Sequence, residues 1–192
     1  MADFAKHLPL SQRTAGDESG VSADRRAAIA DLIDEAASLL ARADASDPDA
    51  VGSDVRAGVT RGFLADAALR LDADDLTGAA AAVRAGKRRS VRELSRTLRA
   101  LLRLADTLGE RATLSPLSAG SVALYAATSA PFDRRAVVRG HTLRATDQDW
   151  SFGRGPVLEA SAEGILRFLL ALSDEPPRRP ADPEAPAATV EG

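Results

Sequence analysis

The sequence predicts a mainly α protein, a helical bundle followed by a small β-β-α appendage. Apolar residues recur at helical spacing from about residue 22 to residue 128, punctuated by caps and glycine stops. Between residues 137 and 159 the pattern changes to β-branched and aromatic residues in short runs, as in strands. A short apolar helix pattern then closes the ordered part. Helices first, then strands and one helix, is the arrangement of a bundle carrying a small α/β unit.

Taken in order, residues 1–20 are polar and irregular and read as a loose start. The first helix is expected near Ser22 as N-cap, with Asp24 in its first turn and Ile29, Leu32, Ile33, Ala36, Leu39 and Leu40 on one face. Asp47-Pro48-Asp49 breaks it. A second helix is expected over Thr60 to Leu71, with Phe63, Leu64 and Ala67 inward, then a turn over Asp72 to Asp75. Leu76 to Ala85 forms a short alanine-rich helix closed by Gly86. Ser90 and Glu93 make a capping box for a helix whose stripe is Val91, Leu94, Leu98, Leu101, Ala105 and Leu108, stopped by Gly109. Ser115-Pro116 opens the next helix, which carries Leu117, Val122, Leu124 and Tyr125 to about Thr128. Val137 to Thr146 reads as a strand and Trp150 to Glu159 as its antiparallel partner across a turn. Ser161 caps the last helix, bearing Ile165, Leu166, Phe168, Leu169 and Leu172. Beyond Ser173 lie Pro176, Pro177, Pro180, Pro183 and Pro186, the signature of a disordered tail. The units are thus a start at 1–20, a bundle at 21–130, an appendage at 131–173 and a tail at 174–192.

Composition narrows the function. The net charge of -3 argues against general nucleic-acid binding. The chain has no cysteine, which excludes disulfides, thiolate metal sites and a cysteine nucleophile. No apolar run is long enough for a membrane span, and the first twenty residues lack the apolar core of a signal peptide, so a cytoplasmic protein without a membrane partner is expected. Lys6 and Lys87 are the only lysines among many arginines, which suggests a GC-rich genome.

Gly140, Leu143, Ala145, Thr146, Asp147, Asp149, Trp150, Gly153, Gly155 and Pro156 follow the order G-x-x-L-x-A-T-D-x-D-W-x-x-G-x-G-P. This string, with Pro131-Phe132 before it and an apolar helix after it, resembles the terminal module of the mycothiol-dependent maleylpyruvate isomerase family, part of the DinB-like superfamily of helix bundles. A second family string, G-W-T-R-G-H-x-x-x-H, is matched at Gly58, Thr60, Arg61 and Gly62. Here Val59 replaces the tryptophan, and Phe63 and Ala67 replace the two histidines. The resemblance implies a DinB-like bundle. It also implies that Phe63 and Ala67 occupy the positions of a divalent-metal site whose ligands are lost. The helix from Ser90 to Gly109 also lacks the family's later histidine, and the chain's histidines are His7 and His141 alone. Asp72, Asp74 and Asp75 are the remaining carboxylate cluster, which reads as ordinary turn chemistry.

Other residues remain as candidates. Thr60, Arg61, His141 and Trp150 could line a pocket, although a strand tryptophan packed on the last helix is the simpler role for Trp150. Arg92, Arg96, Arg99 and Arg103 recur at i, i+4, i+7 and i+11, one face of a helix. They could bind an anion or a partner, or be the solvent face of an amphipathic helix, which the opposing leucine stripe favours. Gly153-Arg154-Gly155 lacks the helix and lysine of a phosphate loop and reads as hairpin geometry.

The expected function is therefore that of a metal-less, non-catalytic relative of the isomerase family, binding a small molecule or a protein without a cofactor. The alternative is an active isomerase or thiol transferase that uses mycothiol and a divalent metal at an atypical site. A third reading is partner docking through the arginine stripe.

Overall fold

The computed structural model describes residues 24–46, 53–71, 73 and 75–180. Within them, α1 (Arg26–Ser46), α2 (Ser53–Asp66), α3 (Leu76–Ala85), α4 (Val91–Leu108) and α5 (Pro116–Ser129) form a helical bundle. It is followed by α6 (Phe132–Val138), β1 (Thr142–Ala145), β2 (Ser151–Gly153), β3 (Val157–Ala160) and α7 (Ala162–Leu169). The mainly α class with a small β appendage is as the sequence predicts. No described helix is long and apolar enough to cross a membrane. The expected loop at Asp47-Pro48-Asp49 lies outside the described residues, as do His7, Ser22, Asp72 and Asp74.

Helices with local caps fall where the sequence places them. Asp75 caps α3 by accepting from Gly78 N, and Gly86 closes it. Ser90 and Glu93 form the reciprocal box at the head of α4. Ser115 accepts from Ser118 N with Pro116 at the first position of α5. Gly109 is left-handed, with Glu110 N donating to Ala105 O and Gly109 N to Asp106 O, a Schellman stop.

Two helix ends depart from expectation for one shared reason. α2 stops at Asp66 and α7 at Leu169, short of Leu71 and Leu172. Each ends in the same Schellman geometry, with alanine in the left-handed position: Ala68 at φ 54° and Ala171 at φ 56°. Leu69 N donates to Leu64 O, and Leu172 N to Arg167 O, at 2.9 and 2.8 Å. Alanine gives no stop signal in a sequence, so both ends were hidden. α2 also starts at Ser53, so Gly58, Thr60, Arg61 and Gly62 lie inside the helix and not at its head. α1 begins at Arg26 rather than near Ser22. The Asp24 carboxylate accepts from Arg26 N at 3.1 Å and Arg89 N at 3.2 Å, joining the helix start to the loop before α4.

The sheet corrects the predicted hairpin. Val137-Val138 belong to α6, and β1 spans only four residues. Residues 150–159 are two strands, not one, giving the order β2-β1-β3. β2 is antiparallel to β1, with Leu143 opposite Phe152; β3 is parallel to it, with Leu143 opposite Leu158. Residues 154–156 carry the chain across the start of β1 from one side to the other. This explains the two glycines. Gly153 (φ 108°) and Gly155 (φ 114°) hold conformations that disfavour side chains, and an added Cβ would sit 2.3 Å from His141 O and 2.1 Å from Gly140 O.

One buried cluster runs through both regions, from Ile29 and Leu39 of α1, through Leu98 and Leu101 of α4, to Leu143, Leu158, Ile165 and Leu169. α1 packs chiefly on α3 and α4, and α5 on α7 and α4. Polar links reinforce the joint. Arg167 of α7 holds Asp106 of α4 through two hydrogen bonds of 2.9 and 2.7 Å. The Arg134 guanidinium lies 4.8 Å from the Phe168 ring centre and donates to Ser173 O at 2.6 Å. The expected tail does not begin at 174. Arg178 pairs with Glu159 through backbone bonds of 3.0 and 2.6 Å, and Pro177 is buried. Residues 181–192 lie outside the described residues.

Candidate functional site

Phe63 and Ala67, which the resemblance sets at histidine positions, are solid core. Phe63 is 4% and Ala67 is 0% exposed, and both belong to the buried cluster. Neither side chain has a lone pair to offer, and no group of three histidine or carboxylate side chains capable of holding a metal occurs among the described residues. The residues present there do not fit a divalent metal. Asp75, the one described member of the aspartate cluster, is engaged as the α3 cap.

The four candidate pocket residues do not meet. Thr60 is buried and lines a cavity of about 390 Å³ between α1, α2 and α3, beside the Arg56–Asp44 ion pair. Arg61 is exposed and donates to Ala57 O of its own helix at 3.3 Å. His141 lines a different and larger cavity. Trp150 belongs to a third concavity, against Pro116, Leu117 and Gly120. Trp150 therefore packs on α5 rather than on the last helix. A Cβ on Gly120 would meet its ring at 3.3 Å. Its Nε1 donates to Gln148 Oε1 at 2.8 Å, and Gln148 Nε2 donates to Leu114 O at 3.1 Å. Asp147 accepts from Ala162 N at 2.6 Å and so helps start α7. Asp147 and Trp150 of the C-terminal signature thus serve the fold.

A cavity of about 620 Å³ lies between α5, α6 and the sheet, and Leu143 and Gly153 are the signature residues that line it. Leu124 and Ala127 of α5, Phe132, Ala136 and Val138 of α6, and Leu143 and Phe152 of the sheet supply apolar walls. Arg135, Arg139 and His141 also line it, and no carboxylate does among the described residues. His141 Nδ1 lies 3.1 Å from Arg139 O, which orients the ring. Phe132 and Leu124 remain 78% and 55% exposed, an unusual state for large apolar side chains in one place. Phe152 connects this cavity to Trp150, on which it stacks at 5.9 Å between ring centres. Sequence reasoning missed Leu124, Phe132, Arg135 and Arg139 as site residues. The only signal was Phe132 standing shortly before Arg134, Arg135 and Arg139; of the four missed residues, Arg139 alone lies in the segment that reads as strand from Val137.

The arginine stripe is divided. Arg103 pairs with Asp66 at 3.2 Å, tying α4 to the end of α2. Arg92, Arg96 and Arg99 line a groove of about 450 Å³ between α4, α5 and the end of α7. The groups with shifted protonation lie at joints of the fold. Hydrogen bonds from Arg167 hold the Asp106 carboxyl below its ordinary range. Burial pushes the Glu93 carboxyl up, but bonds from Ser90 and Arg89 outweigh it and hold it low. Desolvation likewise opposes the Asp24 charge, and the Arg26 and Arg89 backbone N–H groups with the Arg26 side chain overcome it.

Comparison with known protein families, with curated proteins and with solved structures finds no match.

Proposed function

We propose that the chain is a non-catalytic binding protein for a small amphiphilic anion, a divergent relative of the mycothiol-dependent maleylpyruvate isomerase family. The observation that carries this reading is the 620 Å³ cavity, whose walls are largely apolar and whose polar side chains are Thr128, Arg135, Arg139 and His141, with no carboxylate among the described residues. That volume suits a ligand of ordinary metabolite size. Apolar walls favour an alkyl or aryl body, and guanidinium groups favour a carboxylate at its end. Kinship rests on the motif from Gly140 to Pro156. A non-catalytic role is supported by the closed packing at Phe63 and Ala67, where family chemistry would need ligands.

The test is titration with straight-chain carboxylates, followed by calorimetry and by the fluorescence of Trp150, the single tryptophan. Decanoate should bind once per chain and perturb that emission through Phe152. Each added methylene should tighten binding by about 4-fold, as about 0.8 kcal/mol per buried CH₂ requires. Arg135→Gln with Arg139→Gln should weaken decanoate at least about 10-fold and leave decanol unchanged. No saturable binding, or binding indifferent to chain length, refutes the reading.

A further inference from the structure

Three of the four arginines in the α4 stripe stand apart from the rest of the molecule's charge network. Arg92, Arg96 and Arg99 make no ion pair and no side-chain hydrogen bond among the described residues. Arg103, one turn further along the same face, has Asp66. The three also do not project from a convex surface. They line a groove whose other walls are Tyr125 of α5 and Leu170 after α7, with Ser95, only 8% exposed, at its base. No carboxylate lines the groove among the described residues. An ordinary solvent face would intersperse both signs, and like charges at i and i+4 repel by a few tenths of a kcal/mol per pair. Three uncompensated guanidinium groups in a concavity set up a local positive potential, strengthened by the low-dielectric walls around it.

We propose that this groove is a second binding site, distinct from the apolar cavity, and that it takes a small polyanion. Arg92 and Arg99 are seven residues apart, about 10 Å along the helix at 1.5 Å per residue. One monoanionic group cannot span that distance, whereas two or more linked phosphates or carboxylates can. Guanidinium forks engage such oxygens through paired, charge-assisted hydrogen bonds. Tyr125 supplies an apolar wall and a hydroxyl for the body of the ligand. Phosphate and carboxylate share this recognition chemistry, so tripolyphosphate and citrate are the two probes.

Calorimetry with the full chain at low salt should show one tripolyphosphate or citrate per chain, with affinity falling as salt rises. The better of the two identifies the anion class. Arg92→Gln, Arg96→Gln and Arg99→Gln combined should weaken binding at least about 30-fold, given the strength of charge-assisted bonds. Arg103→Gln, outside the groove, should change affinity less than 2-fold. Because all three side chains are exposed, the triple variant should fold, and its melting temperature without anion should equal or exceed that of the parent. The parent alone should gain melting temperature on adding tripolyphosphate. Equal binding by parent and triple variant would show attraction to arginines in general and overturn the proposal. So would no binding by the parent, or an acidic helical peptide that binds at the same arginines more tightly than either probe, which would make the groove a protein-docking surface.

Discussion

At the end of α2, Phe63 and Ala67 are 4% and 0% exposed, whereas beside α6 Phe132 and Leu124 are 78% and 55% exposed. Both places are built from apolar side chains, and Phe63, Ala67 and Phe132 lie in strings that resemble one family. The first is closed: Phe63 and Ala67 are packed into the buried cluster of the bundle. The second has been left with unmet apolar surface and surrounded by arginines. Packing that is complete stabilises and does little else, while packing that is incomplete invites a ligand. The contrast is the basis for the proposed ligand site at the appendage, whereas the resembled family's chemistry would sit in the bundle.

The sharpest way to break the contrast is to cut both phenylalanines to alanine. Phe63→Ala should cost about 3 to 5 kcal/mol in urea unfolding, the usual loss for a buried aromatic. Phe132→Ala should stay within about 0.5 kcal/mol, as for surface changes, while weakening decanoate binding. Similar stability losses in the two variants would erase the distinction between a closed and an open site.

Next in size is the joint between appendage and bundle. Trp150→Ala removes a half-buried ring stacked on Phe152 and packed on Gly120, and should cost about 2 kcal/mol. Truncation after Ser173 should cost about 1 kcal/mol, because it removes the Arg178–Glu159 backbone bonds and the Asp174–Arg134 pair. Unchanged melting of the truncated chain would mean that residues 174–180 contribute nothing.

Smaller effects test the electrostatics and the helix ends. Asp106 and Glu93 have carboxyls held below their ordinary pKa in the folded chain. Their contribution is therefore present at neutral pH, and it is lost as pH falls through the ordinary carboxylate range toward the folded values. Asp106→Asn should cost about 1 kcal/mol at pH 7, discounted for partial exposure, and should flatten the acid limb of the stability curve. A parallel shift of the whole curve would assign the loss to packing instead. Ala68→Gly should stabilise by about 0.5 kcal/mol, since glycine relieves the left-handed strain at φ 54° but gives back part of that in unfolded-state entropy. Destabilisation by this change would show that the methyl group packs usefully at the α2 stop.

What the sequence revealed follows the range of the interactions involved. Capped helices were legible because Ser90, Glu93, Ser115, Pro116 and Ser161 act on residues three positions away or fewer. The ends at Ala68 and Ala171 were illegible because the chain adopts a glycine conformation there without a glycine. Val137-Val138 mimicked a strand by composition, yet Val138 is buried as the last residue of a short helix. The three-stranded order depends on pairing between β1 and β3, and its only local trace was the Gly153-Arg154-Gly155-Pro156 interruption. The arginine stripe was legible from spacing, but its groove requires α5 and α7. The cavity at Phe132 joins two helices and a sheet, and no single segment encodes it.

Nitrogen-15 NMR of the full chain titrated with decanoate tests most directly whether function lies at the appendage. Saturable shifts at Leu124, Phe132, Arg139, Leu143 and Phe152, with Thr60, Phe63 and Ala67 unmoved, are the predicted result. Shifts centred on Thr60, Phe63 and Ala67, or none at any residue, would contradict it.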